Sequence, residues 1–187
     1  ELFAKLDTLT KEDILVLAGS IPNTLPEDIY EKILARLESK GIRIVVDATK
    51  DLLLNVLKYH PFLIKPNNHE LGEMFGTVCK TDEDIVHYAK KLQEMGAVNV
   101  LISMAGDGAI LITEDGQNIK MGTPKGKVVN SVGAGDSMVA GFITGYIRGG
   151  NYEEALKSGT AAGSATAFSE GLASLEMYEK MLKQITE

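Results

Sequence analysis

The sequence has no tryptophan, a single cysteine and few histidines (three) in 187 residues. With Cys79 alone no intrachain disulfide can form, and a reducing cytoplasm is the expected compartment. One cysteine and three histidines leave too few ligands for a zinc cluster to be expected. No His-containing motif accompanies Cys79, so it is expected to be a spectator rather than a nucleophile. No apolar run approaches the ~20 residues that a membrane-crossing helix needs. Positive charge is also in short supply. Lys and Arg number 19 against 26 Asp and Glu, a formal net charge of −7, so no broad attraction to nucleic acid or to an anionic membrane is expected. A local basic pocket for a phosphate remains compatible with that balance. The opening Glu1-Leu2-Phe3-Ala4-Lys5 has no initiator methionine and no signal-peptide character, and it reads like the middle of a longer chain.

What is present is an ordinary globular composition, 44% hydrophobic and 24% charged, in a chain long enough for one domain with a sizeable core. Strands and helices alternate. Ile14 to Ala18 is a continuous apolar run, as in a strand buried on both faces. Pro26 is placed to open a helix whose apolar face is Ile29, Ile33, Leu34 and Leu37, ended by Gly41. Further strands are expected over 42–46, with Asp47 at the carboxyl end, and over 62–64 and 98–102. Helices are expected over 51–58, over 68–75 closed by Gly76, and over 82–95 capped by Thr81 and stopped by Gly96. Residues 109–113 and 118–121 flank a hairpin turn at Glu114-Asp115-Gly116-Gln117. The last three helices are expected over 136–148, 152–168 and 175–185. Such alternation implies crossover units, an α/β fold and a mostly parallel sheet. Ligands bind such sheets at the carboxyl ends of the strands, where Gly19-Ser20, Asp47, Lys65 to Glu70 and Ser103 to Gly108 all fall.

Three segments carry chemistry. In Asn130-Ser131-Val132-Gly133-Ala134-Gly135-Asp136-Ser137, glycines allow a tight turn and a close backbone approach, and the N–H groups of a helix start stabilise an anion. There Asp136 is placed either to take a proton from an attacking hydroxyl or simply to favour the helix start. No Lys-Ser/Thr pair follows the glycines, so this is not a P-loop. A dinucleotide fingerprint is also missing its third glycine. In the second segment, Ser103-Met104-Ala105-Gly106-Asp107-Gly108, small residues either let a ligand lie on the backbone or make a tight strand-to-strand connection. In the third, Lys65-Pro66-Asn67-Asn68-His69-Glu70, the amide of Asn67 and the carboxylate of Glu70 either organise water around Mg²⁺ or form a capping box. His69 is expected to be solvated. Gly141, Gly145, Gly159, Ala161, Ala162, Gly163 and Ala165 are read as the contact between two closely packed helices, with a ligand-facing role for Thr160 as the minority alternative.

Together these segments resemble the ribokinase-like (PfkB) family of carbohydrate kinases. Val132-Gly133-Ala134-Gly135-Asp136-Ser137 is similar to the family's D-T-x-G-A-G-D signature, Asn67-Asn68-His69-Glu70 to its N-x-x-E motif, and Ser103 to Gly108 to its S-x-G-x-x-G nucleotide loop. Their order and spacing agree, and the resemblance runs over essentially the whole chain from Gly19 onward. It implies the three-layer ribokinase-like fold, with residues 1–187 as the nucleotide-binding, catalytic C-terminal portion and the N-terminal strands and lid missing. It also implies transfer of the γ-phosphoryl of ATP to a sugar phosphate. The nearest branch converts fructose 1-phosphate to fructose 1,6-bisphosphate; phosphorylation of tagatose 6-phosphate, or a nucleotide-binding fragment inactive by itself, are the alternatives.

By the same resemblance Asp136 is the base, and Gly133, Ala134 and Gly135 form the anion hole. Asn67 and Glu70 belong to the Mg²⁺–ATP network. Ser103, Met104, Ala105, Gly106, Asp107 and Gly108 line the nucleotide with Gly135, and Thr160 lies near the adenine. Lys65 is placed to face the phosphates. The implied partners are a small phosphosugar and, in one reading, further copies of the chain, with no nucleic acid and no membrane. Two positions depart from the pattern. Asn130 stands for the signature's leading Asp and Val132 for a common Thr, so no monovalent-cation site is predicted. Ala105 stands where the loop usually has Gly.

Overall fold

The computed structural model describes residues 1–186 and divides the chain into two compact units, 1–102 and 103–187, taken here in turn.

The first unit begins with a short helix, α1 (Leu2–Leu6), for which the sequence carried no expectation, and then alternates strands and helices. The strands are β1 (Ile14–Ala18), β2 (Arg43–Asp47), β3 (Leu63–Ile64) and β4 (Asn99–Ser103). Each pairs in parallel with the next, in registers Ile14↔Arg43, Val45↔Leu63 and Leu63↔Asn99. Between them run α2 (Ile29–Leu37), α3 (Lys50–Leu54), α4 (Asn68–Met74) and α5 (Asp82–Glu94). The apolar runs of β2, β3 and β4 are buried, with Val45, Val46, Leu63, Ile64, Val100, Leu101 and Ile102 all at 0% exposure. That is the burial expected when crossover helices cover both faces of a parallel sheet.

β1 departs from that expectation. It pairs with β2 alone among the described residues, Val16 is 41% exposed, and only Leu17 of the strand is buried. A short apolar run reads the same whether a strand is central or at an edge. The helix expected from Pro26 starts three residues later. Pro26 accepts a turn hydrogen bond from Ile29 N, and the helix proper begins at Ile29 with its predicted face, plus Tyr30, buried. The helix expected over 51–58 is broken into α3 and a 3-10 turn, Leu57–Tyr59. Thr81 caps α5 in a reciprocal capping box with Asp84.

The second unit opens with an antiparallel hairpin, β5 (Ala109–Ile112) and β6 (Asn118–Met121), in register Ala109↔Met121. Three helices follow: α6 (Ala134–Gly149), α7 (Tyr152–Ala167) and α8 (Leu175–Thr186). α7 is the centre of this unit. Its Ala161 and Ala165 pack with Met181, and with Phe168, Met177, Tyr178 and Leu182 around them. Its small residues meet α6 backbone to backbone. A Cβ on Gly159 would lie 2.9 Å from Met138 O, and one on Gly145 would lie 2.5 Å from Glu154 O. Gly141, Gly145, Gly159, Ala162 and Gly163 therefore form the close contact of two helices that their spacing implied, whereas Ala161 and Ala165 face α8 instead. No described helix is long and apolar enough to cross a membrane.

Candidate functional site

At the carboxyl ends of the first unit's strands the polar residues make definite contacts. Lys65, just past β3, is 7% exposed, and its Nζ lies 3.2 Å from Oδ1 of Asp47 at the end of β2. That contact gives the buried side chain a charged partner at hydrogen-bonding distance. Tyr30 donates its hydroxyl to Ala18 O (2.9 Å) and is also 3.2 Å from Gly19 O, at the end of β1. Burial, and secondarily the Asp47 charge, raise the Tyr30 hydroxyl above its ordinary pKa, so it remains a donor.

The Asn67 segment realises the capping-box alternative. Asn67 Oδ1 accepts from Glu70 N at 2.8 Å, and Glu70 Oε2 accepts from Asn67 N at 2.8 Å. This uses one carboxylate oxygen of Glu70 and leaves Oε1 with no hydrogen bond to the described residues. Among the described residues no cluster of three His, Cys, Asp or Glu side chains is placed to cage a metal. The donor set nevertheless fits Mg²⁺, which keeps most of its waters and needs only one or two carboxylates beside nucleotide phosphates. His69 is exposed. Cys79 is buried, and burial followed by the Asp84 charge pushes its thiol up, away from a reactive thiolate.

In the second unit, the loop after β4 is a 3-10 turn, Ala105–Asp107. Met104 N donates to Gly108 O at 2.8 Å, and Thr123 Oγ1 donates to Gly106 O at 2.8 Å, so both limbs of the loop are tied. Gly108 stands at φ +93, where an added Cβ would meet Met121 O at 2.0 Å. Ala105 stands at φ +49, in the left-handed region. That explains why glycine would suit the position: the constraint is backbone conformation, not side-chain size. Met104 is 5% exposed and its side chain belongs to the core, whereas Ala105, Gly106 and Asp107 are exposed.

The glycine turn differs from expectation in a useful way. α6 begins at Ala134 rather than at Asp136, because Gly133 at φ +80 is itself the N-cap. Asp136 is therefore the third helical residue. It is exposed, and its carboxylate makes no hydrogen bond or ion pair with the described residues, so it is not serving as a cap. Ala134 N donates to Ser131 O (3.2 Å) and Ser137 N to Gly133 O (2.9 Å), whereas the N–H groups of Gly133, Gly135 and Asp136 have no acceptor among the described residues. Donors without acceptors at the positive end of a sixteen-residue helix are the kind of arrangement that stabilises an anion in general. The N–H of Ala134, expected to contribute, is engaged by Ser131 O.

Thr160 is fully buried in α7 at 0% exposure, and its hydroxyl has no partner among the described residues. It presents no surface to a ligand, because α7 is covered along most of its length. The residues that sequence reasoning missed are Thr166 and Leu172, which surround the glycine turn, and Thr123, which ties the loop. None belongs to a recognisable motif, and their roles depend on contacts 17 to 39 positions away in sequence, as 123−106 and 172−133 show.

Comparison with known proteins gives a consistent result. Residues 1–177 match the pfkB family of carbohydrate kinases. The chain is 49% identical over 181 residues to the 1-phosphofructokinase of Bacillus subtilis, covering 97% of this chain and 59% of that protein. It is 37% identical over 186 residues to the D-tagatose-1-phosphate kinase of Bacillus licheniformis, covering 99% and 61%. Among solved structures, phosphofructokinase-2 from Escherichia coli in complex with substrates and products superposes with a TM-score of 0.92 at 26% identity, over 100% of this chain and 61% of that one. The chain thus spans about 60% of the length of the proteins it matches.

Proposed function

The chain belongs to the pfkB family of carbohydrate kinases, and on that premise we propose that the complete protein transfers the γ-phosphoryl of ATP to a sugar phosphate in the cytoplasm. Fructose 1-phosphate is the first substrate, giving fructose 1,6-bisphosphate. This reading draws its substrate from the 1-phosphofructokinase relative and its mechanism from the glycine turn. The observation that carries it is the carboxylate of Asp136, without a partner among the described residues, beside three N–H groups that likewise find no acceptor there. A carboxylate left free at a helix N-terminus is available to accept a proton from an attacking hydroxyl. The neighbouring N–H groups of Gly133, Gly135 and Asp136 then hold the charge spread over the equatorial oxygens of the transferring phosphoryl.

Phosphoryl transfer asks for positioning and charge stabilisation more than covalent chemistry, which suits a small, rigid set of donors. Ser103 and Ala105 to Gly108 would take the nucleotide. In the first unit, Asn67 and Glu70 would belong to the Mg²⁺–ATP network, with Glu70 acting through water by way of Oε1. Mg²⁺ bound with ATP neutralises charge on the phosphates. Lys65 remains assigned toward the phosphates as a charge held by Asp47. Self-association into a homo-oligomer is part of the proposal, since β1 leaves a strand edge for further strands or a second copy.

The relative named D-tagatose-1-phosphate kinase supports a second substrate, and it shifts the alternative from tagatose 6-phosphate to tagatose 1-phosphate. A coupled assay of the complete protein with Mg-ATP and each phosphosugar decides between them. Asp136→Asn is expected to abolish turnover while leaving ATP affinity nearly intact. Undiminished turnover in that variant would remove Asp136 from its role. Absence of turnover with every phosphosugar would end the kinase reading itself.

A further inference from the structure

Within the glycine turn itself two hydrogen bonds join main-chain groups, Ala134 N to Ser131 O and Ser137 N to Gly133 O. Gly133 caps α6 at φ +80 with no side-chain hydrogen bond, and glycine visits both hands of backbone conformation readily. Free N–H groups stabilise a phosphoryl group best when their directions are set before it arrives. The contacts that set them converge on the end of α7.

Thr166, in the last turn of α7, is 1% exposed. Its hydroxyl donates to Ser137 Oγ at 2.8 Å and accepts from Ala173 N at 3.3 Å. Its methyl carbon lies 3.9 Å from the point that a Cβ on Gly133 would occupy, and Leu172 Cδ2 lies 3.2 Å from the same point. The next carbonyl, Ala167 O, accepts from both Val129 N (2.8 Å) and Asn130 N (3.1 Å). The Asn130 carboxamide completes the lacing: Nδ2 donates to Glu170 O at 3.1 Å, and Oδ1 accepts from Val132 N at 3.0 Å.

The geometry points to Thr166 as a positioning residue for phosphoryl transfer, its hydroxyl acting through Ser137 on the first turn of α6 and so on Asp136. The inference rests on the kinase reading above. A helical threonine commonly returns its hydroxyl to the carbonyl four residues earlier. Thr166 instead spends its one proton across to the neighbouring helix. Ser137 Oγ accepts that hydrogen bond, and Ser137 directly follows Asp136 in sequence. Rotation of the first turn of α6 would cost the Thr166–Ser137 bond.

Three substitutions in the complete protein separate hydroxyl from shape. Thr166→Val keeps the volume and removes the hydroxyl, Thr166→Ser keeps the hydroxyl and removes the methyl group, and Ser137→Ala removes the acceptor. Thr166→Val and Ser137→Ala are each expected to lower kcat by about ten- to a hundredfold, the scale of a small misplacement of reacting groups. KM values should stay within about twofold, as for an interaction used in the transition state. The double variant should be no worse than either single one, and Thr166→Ser should keep most of the activity. The proposal is overturned by a Thr166→Val enzyme with wild-type kcat, by additive losses in the double variant, or by Thr166→Ser being as impaired as Thr166→Val. If Thr166→Val does not fold, Ser137→Ala decides alone. A wild-type protein without turnover on any phosphosugar removes the kinase reading, and this inference with it. Wild-type turnover with an unaffected Thr166→Val removes only the positioning role.

Discussion

Gly141→Ala adds one methyl group to α6, and two effects oppose each other. Alanine is favoured over glycine in a helix interior by about 1 kcal/mol, so propensity alone would stabilise. The packing says otherwise. A Cβ at position 141 would lie 2.6 Å from Ser158 O, 2.7 Å from Ala162 Cβ and 3.0 Å from Gly159 Cα, all on α7. Two of these are main-chain atoms that no rotamer change can move, so relief requires α6 and α7 to part by about 1 Å to reach ordinary carbon contact distances. Overpacking of this kind costs about 1–3 kcal/mol, and subtracting the propensity gain leaves a net loss of roughly 0–2 kcal/mol. For a protein of this size the upper end of that range is a fall in Tm of about 4–8 °C. Ala140→Gly, on the exposed side of the same turn, calibrates propensity by itself and should lose about 1 kcal/mol. Thermal melts followed by circular dichroism make the measurement. A Tm for Gly141→Ala above wild type would refute the claim that the two helices touch backbone to backbone. Turnover should fall with Tm, because α6 carries Asp136 and α7 carries Thr166.

Three further outcomes are expected. Ala105→Gly, at φ +49, should raise stability by about 0.5–1 kcal/mol in a melt, since a left-handed alanine is strained where glycine is not. Thr81→Ala breaks the capping box of α5 and should cost about 1 kcal/mol by denaturant titration. Asp84, held below its ordinary value of 3.8 chiefly by the N–H groups of Lys80 and Thr81, gives that box a pH dependence. Its folded pKa is the lower one, so its contribution is present above 3.8 and is lost as pH falls through the folded value. The stability gap between wild type and Asp84→Asn should therefore close in strong acid, and a gap that widened there would contradict the assignment.

Much of the fold was legible because its signals are local. The apolar runs of β2 and β4, the Gly41 and Gly76 helix stops, the Thr81 cap and the small-residue face of α6 and α7 each follow from residue type and period. The site was legible in part. Glycines before a helix announced an anion cradle, but which N–H groups stay free depends on Ser131 O taking the one from Ala134. At Asn67 and Glu70 the sequence left two readings open, and the structure realises the capping box while leaving Glu70 Oε1 available. At Ala105 the sequence suggested a question of size, whereas the backbone makes it one of conformation.

Residue chemistry by itself therefore determined the alternation of strands and helices, the family motifs and the candidacy of Asp136. All of these are properties of neighbouring residues and their spacing. Only the tertiary structure decided that β1 is an exposed strand, that Thr160 is sealed inside α7, and that Asp136 is no cap. It alone brought Thr166 against Gly133 and Ser137. The physical reason is the same in each case. Exposure, and the partner a hydroxyl or N–H finds, are set by chain segments distant in sequence, and no local pattern encodes which segment arrives.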